Sequence, residues 1–216
     1  MNLPIIVVGG SGHAKVLVST LLLEHREVLG FVDPDPSLPP ILGVRRLGED
    51  NEVFRHAPDR IRLVNGVGSG RSTELRKSVY ARFREKQYVF EAVIHPSASI
   101  APDVQAGDGL QVMAGAVVQT GVRLGENVIL NTGTIIDHDC VIGDHVHVAP
   151  GAILSGCVHL DQGVHVGTGA TIIQGIRVGV ASTVGAGAVV LHDVAAGITV
   201  VGVPAKELSR TSGAGR

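Results

Sequence analysis

The chain has 216 residues, enough for one large domain or two modest ones. Hydrophobic residues make up 44% but aromatics only 3%, with no Trp, so the apolar stock is almost all Val, Ile, Leu and Ala, which suits repeated layers better than one irregular globule. A net charge of −2 without any Lys/Arg run argues against nucleic acid or an anionic membrane surface as partner. Cys140 and Cys157 are too few for a disulfide scaffold and lack the spacing of metal ligands.

Pro4 to Val8 is a short apolar run closed by Gly9 and Gly10, which reads as a buried strand. It is too short for a signal peptide or a membrane span, so a soluble cytoplasmic protein is expected. Ala14 to Leu23 has helical spacing. Val28 to Val32 reads as a second strand, ended by Asp33 and Pro34, and Pro34 to Pro40 as a loop. Ile61 to Val64 reads as a third strand, followed by Asn65 to Gly68. Thr73 to Lys86 reads as a second helix with Leu75, Val79 and Phe83 on one face. Strands alternating with helices imply a small parallel sheet over residues 1–90.

From Ile94 the period becomes six. Every sixth residue, through Val112, Leu130, Ile136, Leu154, Ile172 and on to Val190, is Val, Ile or Leu, with Ala106 the one exception. Four residues after each comes a second, mostly small or β-branched residue, such as Val122, Thr134, Cys140, Ala152 or Ser182. This is the hexapeptide repeat of a parallel β-helix. Each hexad makes one flat side and turns a corner. Three hexads close a triangular coil, so residues 18 apart stack about 4.8 Å from each other. A narrow prism filled by small aliphatics explains the missing Trp. The 29 glycines supply its turns.

Three stretches have a chemical reading. Gly9, Gly10, Ser11, Gly12 and His13 join a strand to a helix, where backbone N–H groups and the helix N-terminus can hold a phosphate. Asp33 ends the next strand, 23 residues after Gly10, where an acid meets a ribose hydroxyl in dinucleotide folds. The plain alternative is a tight βα turn. His138 is outward in its hexad and is followed by Asp139. A histidine with a carboxylate partner suits a general base at neutral pH, but a solvated side chain reads the same way. A direct contact between the two requires the hexad corner to turn the chain. Gly156 lies 18 residues on and stacks over His138. Of His145, His147, His159 and His165, only His147 and His165 stack, which is poor for zinc, and no metal is expected. Cys140 belongs to the inward series and reads as core.

The Gly9 to Lys15 segment, the hexads, the run Ile136 to Cys140 and the closing Gly202 to Lys206 together resemble the sialic-acid O-acetyltransferase-like family of sugar acyltransferases. That family includes the N-acetyltransferases of the bacillosamine and perosamine pathways. The resemblance runs to about Leu208 and leaves residues 209–216 as a tail. It implies a left-handed β-helix over residues 91–208, a homotrimer, acetyl-CoA as donor and a nucleotide-linked 4-amino-4,6-dideoxy sugar as acceptor, in surface-glycan synthesis. It assigns the nucleotide-sugar contacts to Gly10, Ser11, Gly12, His13, Asp33, Pro34 and Gly68. It makes His138 and Asp139 the catalytic pair and the Gly156 amide the oxyanion donor. It gives acetyl-CoA contacts to His147, Thr168, Ala186 and Lys206. Bacillosamine-type enzymes carry two adjacent acids where this chain has Asp33 and Pro34, which leaves the base open between uridine and guanosine. Sugar O-acetylation is the alternative chemistry. A non-catalytic β-helix trimer is the alternative of another class.

Overall fold

The protein is described here from a computed structural model that covers residues 3–69 and 73–208. The expected tail, 209–216, lies outside the described residues. The N-terminal part holds β1 (Ile5–Val8), α1 (Gly12–Leu23), β2 (Val28–Val32), β3 (Arg46–Gly48), β4 (Arg62–Asn65) and α2 (Glu74–Glu85). The four strands form one parallel sheet in the order β3-β2-β1-β4. Alternation along β1 builds two cores. Ile5 and Val7 pack with Leu17 and Leu21 of α1. Ile6 and Val8 pack with Tyr80 and Phe83 of α2.

Three expectations for this part need correction. β3 and the 3₁₀ turn Asp50–Arg55 were not anticipated, because Arg46–Gly48 is too short to show a period. β4 runs one residue later than expected, and α1 starts two residues earlier. Helix α2 also turns a different face inward. Leu75 is 66% exposed, whereas Arg76, Tyr80 and Phe83 are buried. The carbonyls of Asn65 and Val67 draw the Arg76 guanidinium inside, with Nη1 donating at 2.8 and 2.9 Å.

From Val93 the chain winds into a prism with three parallel faces. Face A starts at Val93–Ile94, face B at Ser99–Ile100 and face C at Gln105–Ala106. Strands stack at the expected spacing of 18: Ile136 on Leu154, and Leu154 on Ile172. Inside runs one continuous core from Leu110 to Val200. Its first coil is open, so Ile94 and Ala106 are exposed although they belong to the inward series. The last coil is shorter: Thr183 pairs with Thr199 and Val178 with Val194, a spacing of 16. Lys206–Glu207 then closes face A as an antiparallel strand.

The two parts are joined along the edge between faces C and A. Tyr80 Oη donates to Glu126 Oε2 at 2.9 Å, Asn65 Nδ2 to Asn127 Oδ1 at 3.3 Å, and Thr73 Oγ1 to the Gly163 carbonyl at 3.1 Å. Gln111 points outward from face A yet is fully buried. Its Nε2 donates to the Asn65 carbonyl at 2.9 Å. Val93 and Met113 join the core on the α1 side.

Candidate active site

His138 and Asp139 form the corner between faces B and C. Asp139 has φ +58, a left-handed conformation that swings its side chain back over its neighbour. His138 Nδ1 therefore meets Asp139 Oδ2 at 2.9 Å. A carboxylate accepts the Nδ1 proton, so the neutral ring keeps its lone pair on Nε2. The hydrogen bond to Asp139, and then the charge of Asp137, raise the pKa of His138 above its ordinary 6.5. The ring is half-exposed and lies over Gly156: a Cβ there would stand 2.5 Å from His138 Nε2 and Cε1. The Gly156 N–H has no hydrogen-bond partner among the described residues. An imidazole with its Nε2 lone pair free and an amide N–H without a partner among the described residues thus share one corner.

The second piece lies on face A. A groove of about 400 Å³ is lined by His165, Thr168, Thr183 and Ala186, among others. Thr168 and Ala186 stand one coil apart at the corner between faces A and B, and both are exposed. Lys206 is exposed in the strand that ends this face. His147 lies one coil from His165, with the rings edge-on and 5.0 Å apart. It is almost fully buried, and burial with neighbouring His165 pushes its pKa down to about 2, so it is neutral. Asn131 Nδ2 donates to its Nε2 at 3.2 Å, and the backbone at Ser69 approaches the ring from the other side.

The third piece is the β1–α1 turn. Gly10 N–H donates to Asp33 Oδ2 at 2.7 Å, and Asp35 N–H to Oδ1 at 2.9 Å. Asp33 therefore ties the turn to the end of β2, and any ribose contact would be additional to these two bonds. A Cβ on Gly10 would collide with Phe31 and Leu38, so the turn lies close on the sheet only as glycine. Ser11 is exposed and makes no cap bond. Gly12 faces open space, and the first turn of α1 carries no acid, so its positive end is unneutralised. Gly68 lies against His13, where a Cβ would be 3.2 Å from the His13 Cβ. Pro34 opens a cleft of about 250 Å³ with Glu49, Asp50, Asn51 and Arg82.

His13 is the link between the turn and face A. Its Nε2 donates to Gln111 Oε1 at 2.7 Å, because the Gln111 amide nitrogen is engaged elsewhere. Burial, then the charge of Arg76, lowers its pKa to about 4, so it is neutral with Nδ1 free as an acceptor. Sequence reasoning missed Arg76, Asn65 and Gln111. The signal for Arg76 was its spacing with Tyr80 and Phe83. Among the described residues, His145, His147, His159 and His165 gather no three-ligand cluster. Cys140 is buried in the prism, and burial pushes its thiol up to about 11.

A stacked hexapeptide coil with a histidine–acid corner and a groove on another face defines a left-handed β-helix acyltransferase. The family models agree: "PglD N-terminal domain" matches residues 4–83 and "Bacterial transferase hexapeptide (six repeats)" residues 121–156. Among solved structures, PerB from Caulobacter crescentus in complex with CoA and GDP-perosamine is 33% identical with a TM-score of 0.88, over 95% of this chain and 97% of that one. The acetyltransferase domain of PglB from Neisseria gonorrhoeae, in complex with acetyl coenzyme A, is 33% identical with a TM-score of 0.89, over 96% and 100%. WeeI from Acinetobacter baumannii is 26% identical with a TM-score of 0.83, over 96% and 100%. A search of curated proteins gives no match. The chain belongs to the PglD-type family of hexapeptide-repeat sugar acyltransferases. No helix among the described residues is long and apolar enough to cross a membrane.

Proposed function

We propose that the protein is a cytoplasmic, acetyl-CoA-dependent N-acetyltransferase acting on the 4-amino group of a nucleotide-linked 4-amino-4,6-dideoxy sugar. Residues 1–90 hold the nucleotide sugar, and residues 91–208 hold acetyl-CoA and perform the transfer. One observation carries the reading: the His138–Asp139 pair with the His138 ring directly over Gly156. An ammonium is not a nucleophile, so the acceptor must give up a proton, and His138 Nε2 is placed to take it. The amine attacks the thioester carbonyl, and the Gly156 N–H stabilises the oxyanion, a contribution of about 3 kcal/mol in comparable sites. The C–S bond then breaks and CoA leaves as the thiol. Asp139 holds the ring and its tautomer. The acceptor is read as an amine, because PerB is solved with GDP-perosamine and the matched PglB domain is an acetyltransferase.

Two geometrical facts support a trimer. In a triangular coil the corner between faces B and C is opposite face A. His138 is thus on the far edge from both the face A groove and the His13–Gln111 contact. One chain cannot bring the base to its own groove, but a second copy can present that corner to it. Such a contact is heterologous and closes into a ring. Face B also carries an outward apolar row, with Ile135 and Ile153 39% and 38% exposed, whereas face C shows Gln105, Arg123 and Arg177. The test is to incubate the protein with acetyl-CoA and a panel of UDP- and GDP-linked amino sugars and follow CoA release. Release with none of them, from folded oligomeric protein, overturns the reading.

A further inference from the structure

We propose that His138, Asp139 and Cys157 form a binding site for a thiophilic divalent cation, Zn(II) in the first instance, which shuts off the base when occupied. The ligands come from successive coils, so no short-range spacing marks the site. Asp139 and Cys157 are 18 residues apart and hold the same corner position, both left-handed, with φ +58 and +60. Their side chains therefore leave the prism in the same direction. His138 leans from the lower coil over Gly156, the residue before Cys157. One ligand atom from each of the three lies within 4.8 Å of the other two, and all three residues are exposed. Zinc bonds of about 2.0–2.3 Å in a tetrahedron put ligand atoms roughly 3.3–3.8 Å apart, so shifts of about 1 Å in exposed side chains close the site.

The donor set is one imidazole nitrogen, one carboxylate oxygen and one sulfur. It favours Zn(II) over Mg(II) or Ca(II), which take oxygen ligands. Three protein ligands leave a fourth position for water. Binding expels the Cys157 thiol proton to solvent and takes a lone pair of the His138 ring. Cys157 is not demanded by the corner itself: the same position one coil beyond is Gly175, and on the other side of Asp139 it is Gly121. The proposed acetyl transfer has no use for its thiol. A corner that must admit substrate to His138 also admits a hydrated cation. Cation binding stands on the geometry alone, while its inhibitory effect rests on the function proposed above.

The experiment uses the full chain in metal-free buffer, with and without substrates. Co(II), as a spectroscopic stand-in, is expected to give a thiolate-to-cobalt charge-transfer band that Zn(II) abolishes by displacement. Cys157→Ser should lose the band and weaken Zn(II) binding, read against a chromophoric chelator, by roughly a hundred-fold or more, since loss of an outer-shell partner alone costs about 10–100-fold. In turnover, Zn(II) should inhibit the wild type reversibly by chelator, while Cys157→Ser keeps its basal rate and resists. Cys157→Gly, which relieves the left-handed backbone, provides a second variant should the serine fold poorly. No charge-transfer band, or Zn(II) affinity unchanged in both variants, overturns the site. A band that depends on Cys157, with equal Zn(II) inhibition of wild type and variants, overturns the inhibitory role alone. The Co(II) measurement needs no substrate, so it stands apart from any failure of the proposed activity.

Discussion

Gly156→Ala separates the site from the fold. Position 156 is not left-handed, so alanine meets no backbone strain there. Its Cβ would lie 2.5 Å from Nε2 and Cε1 of His138. Carbon contacts settle near 3.5 Å, so the ring must retreat by about 1 Å. The ring is half-exposed and can do so without disturbing the core. A misplacement of about 1 Å in a catalytic group can cost about 10²-fold. The expected result is a Tm like the wild type and a kcat/KM for the amino sugar lowered by about two orders of magnitude, measured by CoA release. Gly143→Ala is the contrasting case. Its Cβ would stand 2.8 Å from the backbone nitrogen of Gln162, which cannot retreat, so that variant should lose stability first. A Gly156→Ala enzyme with wild-type kcat/KM would refute the placement of His138 over the reacting carbonyl. A variant that melts early would refute the claim that the ring moves freely.

Asp139→Asn should shift the acid limb of the kcat/KM profile to lower pH. The carboxylate raises the pKa of His138 above 6.5, the base works deprotonated, and activity therefore rises as pH climbs through that raised value; an unmoved limb in the variant would assign the limb to another group. The plateau should fall as well, because the tautomer is no longer held. Asp33→Ala removes the partner of the Gly10 N–H and should raise the KM for the acceptor while leaving that for acetyl-CoA unchanged; the reverse pattern would exchange the roles of the two halves. Mixed oligomers of His138→Ala and Ala186→Trp, each inactive alone, should regain activity at about a quarter of the sites, since each site takes its base from one copy and its groove from the next. No recovery in verified mixed oligomers would place the whole site within one chain.

The prism was legible because its signal is a phase held over many turns. Ile136, Leu154 and Ile172 stack as the six-residue period requires, and Cys140 and Ser182 are buried in the second inward row. The stacking of His138 and Gly156 follows from the same arithmetic. What the period does not encode was missed. The helical spacing of Leu75, Val79 and Phe83 puts Leu75 on the inner face, but the neighbouring carbonyls at Asn65 and Val67 favour Arg76 there. His147 is given an acetyl-CoA contact by the resemblance, and nothing in the period shows that it is almost fully buried. Here the loop that includes Ser69 approaches it and dries it. The ending of the coil was also missed, since a shortening from 18 to 16 residues leaves Val190 and Val194 looking regular.

The corners suggest a sharper way to read such a sequence. From Gly109 to Gly187 the second residue of each corner is left-handed, which costs a side chain about 1–2 kcal/mol relative to glycine. Between faces A and B every one of these positions from Gly115 to Gly187 is glycine. The side chains that accept the cost are Asn127, His145 and Ala181 between faces C and A, and Asp139 and Cys157 between faces B and C. Asn127 bonds both Asn65 and His145, at the junction of the two halves. Asp139 holds the His138 ring. Nothing in the structure explains Ala181. Ala181 aside, a departure from glycine at that one position of the hexad falls where the side chain has a partner of its own or a proposed ligand role. The departures fall on the edge that carries the N-terminal half and on the edge that carries His138.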